Sequence, residues 1–116
     1  MQISELSIVV PTYNEKSNIY KLIESLEVVL KDIYWEIIFV DDNSPDKTAD
    51  EVRKISQVNS KVHIIHRIGR YGLSSACTEG AISASSKYVL IMDADMQHDE
   101  KIIIRMLNTI KGGDYN

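Results

Sequence analysis

Four short apolar runs punctuate the chain: Leu6 to Val10, Glu36 to Val40, Val62 to Ile65 and Tyr88 to Met92. They are rich in β-branched and aromatic residues and lack the polar alternation of a sheet with one wet face. Each run is therefore expected to be a strand buried on both faces. Between the runs the apolar period lengthens from two to 3.6. Ile19, Leu22, Ile23, Leu26, Val29 and Leu30 recur at helical spacing and predict an amphipathic helix. Ala49, Val52 and Ile55 predict a second, with Ser44-Pro45 read as its start, because a hydroxyl can cap free amides and proline fits the first turn. A third stripe, Leu73, Ala76, Cys77, Gly80, Ala81 and Ala84, is built largely of small residues, as a helix lying close against a sheet requires. Ile102, Ile103, Met106, Leu107 and Ile110 predict a fourth, with Asp99 as N-cap and Gly112 as its stop.

The resulting order is βαβαβαβα. Right-handed crossovers turn it into an α/β fold, a Rossmann-like, mostly parallel sheet with helices on both faces. No repeat, low-complexity tract or linker interrupts the pattern, so residues 1–116 read as a single domain.

In such a sheet, ligands bind beyond the carboxyl ends of the strands, where loops converge and helix N-termini direct their amides. The polar residues follow that rule. Pro11-Thr12-Tyr13-Asn14-Glu15 leaves the first strand, Asp41-Asp42-Asn43-Ser44-Pro45-Asp46 the second, His66-Arg67-Ile68-Gly69-Arg70-Tyr71-Gly72 the third, and Asp93-Ala94-Asp95-Met96-Gln97-His98 the fourth. Connections at the opposite edge, such as Lys31 to Tyr34 and Val58 to Lys61, show no such concentration.

Asp93-Ala94-Asp95 carries the sharpest chemistry. Two carboxylates one residue apart at a strand end can face one cleft, and with Gln97 they offer oxygen ligands only, which suits Mg²⁺ or Mn²⁺; the plainer alternative is an ordinary loop in which one aspartate caps the next helix. Asp41 and Asp42 are either acceptors for a base or sugar hydroxyl, or turn residues that start the next helix. Tyr13 and Glu15 allow the same two readings, packing on a base and binding its edge or forming a strand exit. Arg67 and Arg70, in a loop with Gly69 and Gly72, are either diphosphate ligands or solvated surface arginines. His63 is read as strand packing and Cys77 as a small core residue.

The bulk numbers narrow the partners. An apolar content of 44% is enough for a core, while a net charge of −4 supplies no basic stripe for nucleic acid. The lone Cys77 excludes a disulfide framework and a thiolate zinc site and fits a reducing, cytoplasmic setting. The N-terminus lacks a signal-peptide pattern, and no apolar run approaches the roughly 20 residues that cross a bilayer. A dinucleotide oxidoreductase is disfavoured because no GxGxxG follows a strand.

Val10 to Glu15, Val40 to Asp46, Gly72-Leu73-Ser74-Ser75-Ala76 and Met92 to His98, in this order and spacing, closely resemble family 2 glycosyltransferases of the GT-A fold, nearest to dolichyl- or polyprenyl-phosphate mannosyltransferases. The resemblance spans nearly the whole chain. It implies that Pro11, Tyr13, Glu15, Val40 and Asp42 surround the base and ribose of a nucleoside diphosphate sugar. It assigns Asp93, Ala94, Asp95 and Gln97 to the diphosphate and its metal. It further implies inverting transfer of a sugar, mannose from GDP-mannose, to a polyprenyl or dolichyl phosphate. Members of the family continue past the metal motif, so the chain is expected to be the nucleotide-sugar-binding part, poorly active alone, self-associating through uncovered surface, and cytoplasmic or at the cytoplasmic face of a membrane. The competing expectations are a non-catalytic nucleotide-sugar-binding module and a phosphohydrolase using the paired aspartates.

Overall fold

The computed structural model describes residues 4–69 and 72–94, together with Arg105 and Asn108, which are helical and exposed. The strands are β1 (Leu6–Thr12), β2 (Trp35–Asp41), β3 (Val62–His66) and β4 (Tyr88–Ile91), all parallel, in the spatial order β3-β2-β1-β4. Helices α1 (Ile19–Val29), α2 (Thr48–Ser56) and α3 (Leu73–Ser83) connect them, with a short 3₁₀ turn at Lys16–Asn18 leading into α1. The fourth expected helix, from Asp99 to Gly112, lies outside the described residues apart from Arg105 and Asn108.

The strand order dictates the layers. The chain steps from β1 to β2 to β3 in one direction, and then β4 returns to the other side of β1. Right-handed connections put α1 and α2 on one face and, because the last step reverses direction, α3 on the other. The core divides accordingly. Ile19, Leu22, Leu26, Val52 and Ile55 pack with Leu6, Ile8, Val10, Ile37 and Phe39 on one face, whereas Ala76 packs with Val9, Ile38 and Val40 on the opposite face.

The small-residue stripe of α3 has a direct geometric cause. A Cβ placed on Gly80 would lie 2.3 Å from Val9 Cγ1 and 3.1 Å from Val40 Cγ2, so the helix backbone rests on the two central strands.

β1 runs two residues beyond the expected end and contains Pro11. The strand tolerates it because the Asp42 N–H donates to the Thr12 carbonyl, so Thr12 faces β2 and Pro11 faces the other side. On that side the β4 pairing stops at Ile91, opposite Val9, as a residue with no N–H to donate requires.

Burial on both faces holds for β1 and β2 but not for the outer strands. β3 is mostly half-buried, and Val89 and Ile91 of β4 are 43% and 48% exposed. They lie beyond the reach of α3, which covers β1 and β2.

α2 also differs from expectation. Ser44-Pro45 does not open it; the helix starts at Thr48, after Lys47 takes up a left-handed conformation at φ 67°. Ser44 is engaged instead by Asp41, which accepts from both its N–H (2.9 Å) and its hydroxyl (2.6 Å). The predicted inner face of Ala49, Val52 and Ile55 is buried as expected.

At the amino edge of the sheet, Glu36 is buried within a run otherwise apolar. Its carboxylate accepts hydrogen bonds from the Ser7 hydroxyl and from the Ser85 N–H (3.1 Å) and hydroxyl (3.2 Å). His63 Nε2 lies 3.3 Å from its other oxygen. His63 is therefore a half-exposed partner of Glu36 rather than strand packing, and Cys77 is only half-buried on α3.

Candidate functional site

The reversal of strand order falls between β1 and β4: the connection leaving β1 runs to α1 on one face, while α3, which leads into β4, lies on the other. Asp93 follows β4 by two residues and is exposed at that edge, while Tyr13, Asn14 and Glu15 leave β1 beside it. Asp95 and Gln97 lie outside the described residues, as do Arg70 and His98. Asp93 and the β1 loop thus lie at the carboxyl ends of neighbouring strands, with the loops after β2 and β3 next along the same edge.

The β1 loop is held by its neighbour. Three consecutive amides of the first loop donate to side chains of the second: Asn14 N to Ser44 Oγ (2.9 Å), Glu15 N to Thr48 Oγ1 (3.2 Å) and Lys16 N to Asp46 Oδ2 (3.1 Å). The Asp46 N–H returns a longer bond to Asn14 Oδ1 (3.4 Å). Asp46 also holds the first residue of α2, accepting from the Thr48 N–H at 3.0 Å and from its hydroxyl. Burial pushes the Asp46 carboxyl pKa up, but the bonds from the Thr48 hydroxyl and the Lys16 and Thr48 amides, with the Lys16 charge, outweigh it and leave the group below its ordinary value. Asn14 and Asn43 adopt left-handed conformations at φ 56° and 57°, which asparagine tolerates better than most residues. This stitching leaves Tyr13 standing outward, 55% exposed, and Glu15 half-buried.

Asp41 and Asp42 divide the two roles that their spacing left open. Asp41 is fully buried and accepts from Thr12 Oγ1 (2.7 Å) as well as from Ser44. It is a turn residue. Asp42 stands at the rim, where Oδ1 accepts from Arg67 Nε at 2.6 Å and Oδ2 from the Gly72 N–H at 3.3 Å.

Arg67 fits neither expectation for it, being 0% exposed. Besides Asp42, its guanidinium donates to Ser75 Oγ (2.7 Å) and the Gly72 carbonyl (3.1 Å), with Glu79 Oε1 at 3.8 Å. The hydrogen bond to Asp42 raises its pKa above an already high ordinary value, against the opposing effect of burial, with the Asp42 and Glu79 charges adding to the rise. Gly72 can serve Asp42 with its N–H and Arg67 with its carbonyl because it sits at φ 117°, where a side chain would be strained. A cleft of about 810 Å³ opens beside this cluster, lined by Leu73, Ser74, Ser75, Thr78 and Glu79 with Arg67 and Gly72 at its base.

His66 links the same loops from the opposite side. Its Nδ1 accepts from Arg53 Nη2 (2.7 Å), and its Nε2–H donates to Asn43 Oδ1 (2.9 Å), the tautomer these partners require.

Two implied site residues are placed beneath the surface. Val40 is 0% exposed and packs against Val9 and Gly80, and Ala94 is buried in the larger core cluster. Either can reach a bound molecule only through its backbone. Pro11 is half-buried at the end of β1. The residues that sequence reasoning undervalued are Asp46 and Thr48, which lock the two loops, and Arg67. For Asp46 the signal is present as an acceptor two residues before a helix-starting threonine. For Arg67 there is none, because its partner lies 25 residues away.

A sequence model described as glycosyl transferase family 2 matches residues 7–116. Over 109 residues the chain is 37% identical to a dolichol-phosphate mannosyltransferase from Pyrococcus furiosus, covering 94% of this chain and 31% of that protein. Over 112 residues it is 38% identical to a dolichol-phosphate mannosyltransferase from Saccharomyces cerevisiae, covering 91% of this chain and 41% of the relative. The chain thus spans well under half the length of either. Among solved structures, a mannosyltransferase from Pyrobaculum calidifontis in complex with GDP-Man and Mn²⁺ superposes with a TM-score of 0.70 at 23% identity, over 96% of this chain and 32% of that one. That likeness establishes the fold, a GT-A type α/β sheet.

Proposed function

The chain belongs to glycosyl transferase family 2, and from that premise we propose that residues 1–116 form the nucleotide-sugar-binding part of an enzyme that moves a sugar from a nucleoside diphosphate to a polyprenyl phosphate. The observation that carries this reading is the position of Asp93, exposed at the carboxyl end of β4 and across the strand-order reversal from Tyr13 and Glu15. Mannose as the sugar is supported by the names of the two relatives, and GDP-mannose by the ligand in the Pyrobaculum structure.

The donor set of Asp93, Asp95 and Gln97 consists of hard oxygen atoms, which fits Mg²⁺ or Mn²⁺ and no softer metal. Such a cation, when bound, neutralises charge on the departing diphosphate. The protein's own residues then have two tasks. Tyr13 offers an exposed ring for a base, and Glu15 and Asp42 offer carboxylate acceptors for base N–H or ribose hydroxyl groups. Because a lipid phosphate acceptor is already anionic near neutral pH, the residues around Asp93 need only align the reactants for inversion at the sugar C1. Among the described residues no helix is long and apolar enough to cross a membrane.

Calorimetric titration of the chain with GDP, UDP and their sugar conjugates, with and without Mn²⁺, tests the reading. Metal-dependent binding that is lost in Asp93→Ala supports it. Equal affinity without metal, or no affinity for any nucleoside diphosphate, overturns it.

A further inference from the structure

A guanidinium carries five N–H donors in a rigid planar fork. In this fold the Arg67 fork is occupied from within the protein, by Asp42 Oδ1, Ser75 Oγ and the Gly72 carbonyl, with Glu79 close by. Although it borders the cleft, it has no solvent-exposed surface and its three nitrogens are all engaged by protein partners. Any effect it has on a ligand passes through the groups it holds.

Those groups belong to two different elements. On one side is Asp42, at the end of β2; on the other is the first turn of α3, through Gly72 and Ser75. The Gly72 N–H closes the ring by donating back to Asp42 Oδ2. Each carboxylate oxygen has a second lone pair, so Asp42 retains acceptor capacity after both bonds are made. The ring then decides where that capacity points.

We infer that Arg67 is a positioning residue for nucleoside recognition: it fixes the Asp42 carboxylate so that its remaining lone pairs face the base or ribose, and it ties that direction to the seating of α3. The inference rests on the nucleotide-sugar reading of the site. A carboxylate held in place before binding spares the ligand the cost of ordering it, and a side chain of this kind accounts for about tenfold in affinity. Lysine at the same position would keep the charge but gather its donors on one nitrogen, without the planar spread that serves Asp42, Ser75 and Gly72 together, so charge alone does not substitute for the fork.

The test compares the wild-type chain, Arg67→Lys, Ser75→Ala and Asp42→Asn by calorimetry in Mn²⁺, against GDP, UDP and inorganic pyrophosphate. Arg67→Lys is expected to weaken whichever nucleoside diphosphate the wild type prefers by about tenfold while leaving pyrophosphate within about twofold. Ser75→Ala, at an exposed helix position, is expected to lose roughly two- to fivefold with the same selectivity. Adding Arg67→Lys to Asp42→Asn is expected to cost little beyond Asp42→Asn alone, because the two substitutions break one chain of contacts. Equal losses for pyrophosphate and nucleoside diphosphate would mean a scaffold role only and overturn the inference. Unchanged nucleotide affinity in the variants overturns it as well. If Arg67→Lys does not fold, Ser75→Ala decides, and full nucleotide affinity there refutes the proposal. A wild type that binds no nucleoside diphosphate defeats the functional reading itself and this inference with it, whereas binding that the variants leave intact defeats the inference alone.

Discussion

Asp41 and Asp42 are adjacent in sequence, yet their carboxylates serve different parts of the molecule. Asp41 turns inward to Thr12 and Ser44, with no exposure to solvent, and Asp42 turns to the rim, where Arg67 and Gly72 hold it. The alternation of side chains along an extended backbone is enough to separate them. Asp41 is therefore committed to the fold, and Asp42 is the carboxylate left at the rim.

That separation predicts opposite phenotypes. Asp41→Ala removes the acceptor for three buried donors and is expected to cost about 2–4 kcal/mol of stability, since unsatisfied buried hydroxyl and amide groups are left behind. Asp42→Asn weakens the partner of a buried guanidinium but keeps an amide oxygen for Arg67 Nε, with Glu79 still 3.8 Å away, so it is expected to cost less stability than Asp41→Ala while lowering nucleotide affinity. Urea unfolding and calorimetric titration of the two variants, read side by side, check both. Equal destabilisation would refute the division.

Gly80→Ala sets helix propensity against packing. Alanine favours a helix over glycine by about 1 kcal/mol. The new methyl, however, would meet Val9 Cγ1 at 2.3 Å, and Val9 is a fully buried residue of a central strand with nowhere to retreat. Overpacking of this kind costs typically about 1–3 kcal/mol, so net destabilisation is expected, with a lower urea midpoint. A stability gain would show that α3 can lift off the sheet freely.

Glu36 makes stability depend on acid. Burial pushes its pKa up, but the hydrogen bonds from Ser7 and Ser85 and the nearby His63 outweigh burial and leave it below the ordinary glutamate value. A carboxyl group with a depressed native pKa contributes stability that is fully present above its unfolded pKa, about 4.3, and is lost as pH falls through the native value. Glu36→Gln should therefore flatten the acid limb of a plot of unfolding free energy against pH below about 5, with the neutral limb running parallel to wild type. An unchanged acid slope would assign the effect elsewhere, Asp46 being the first candidate because its pKa is also lowered.

Removal of metal should act on ligand rather than on fold. Asp93 lies at a strand end and is exposed, so Asp93→Asn is expected to leave the unfolding midpoint close to wild type. Groups that merely orient metal ligands cost about 10- to 100-fold in metal affinity when mutated, so loss of a direct carboxylate ligand should cost at least that. Mn²⁺ titration followed by electron paramagnetic resonance measures it, and an unaltered affinity would remove Asp93 from the metal set.

The sequence made the elements legible wherever burial and periodicity coincide. β1, β2 and the inner face of α1 follow from runs such as Ile8 to Val10 and from Ile19, Leu22 and Leu26, all completely buried. The small stripe of α3 announced its close approach, which Gly80 realises. Exposure of Val89 and Ile91 was not legible, because an apolar run does not state whether its strand sits at the centre or the rim of a sheet. The start of α2 differs from expectation for a chemical reason: Ser44-Pro45 has the form of a helix opening, but the Asp41 carboxylate captures the serine first. The burial of Arg67 is not legible, because a guanidinium in a glycine-containing loop reads as a ligand or a solvated surface group until its acceptor 25 residues away is known. The polar strand ends gather at the carboxyl edge of the sheet, and Asp93 lies there; Asp95 and Gln97 fall outside the described residues.

The three amides of Asn14, Glu15 and Lys16 find their acceptors on Ser44, Thr48 and Asp46, so the conformation of the first loop is encoded largely in the second. Grafting residues 12–16 alone onto another scaffold would therefore fail to reproduce the stance of Tyr13. A successful transplant, or an exchange of specificity between homologous enzymes, has to move both segments as one cassette.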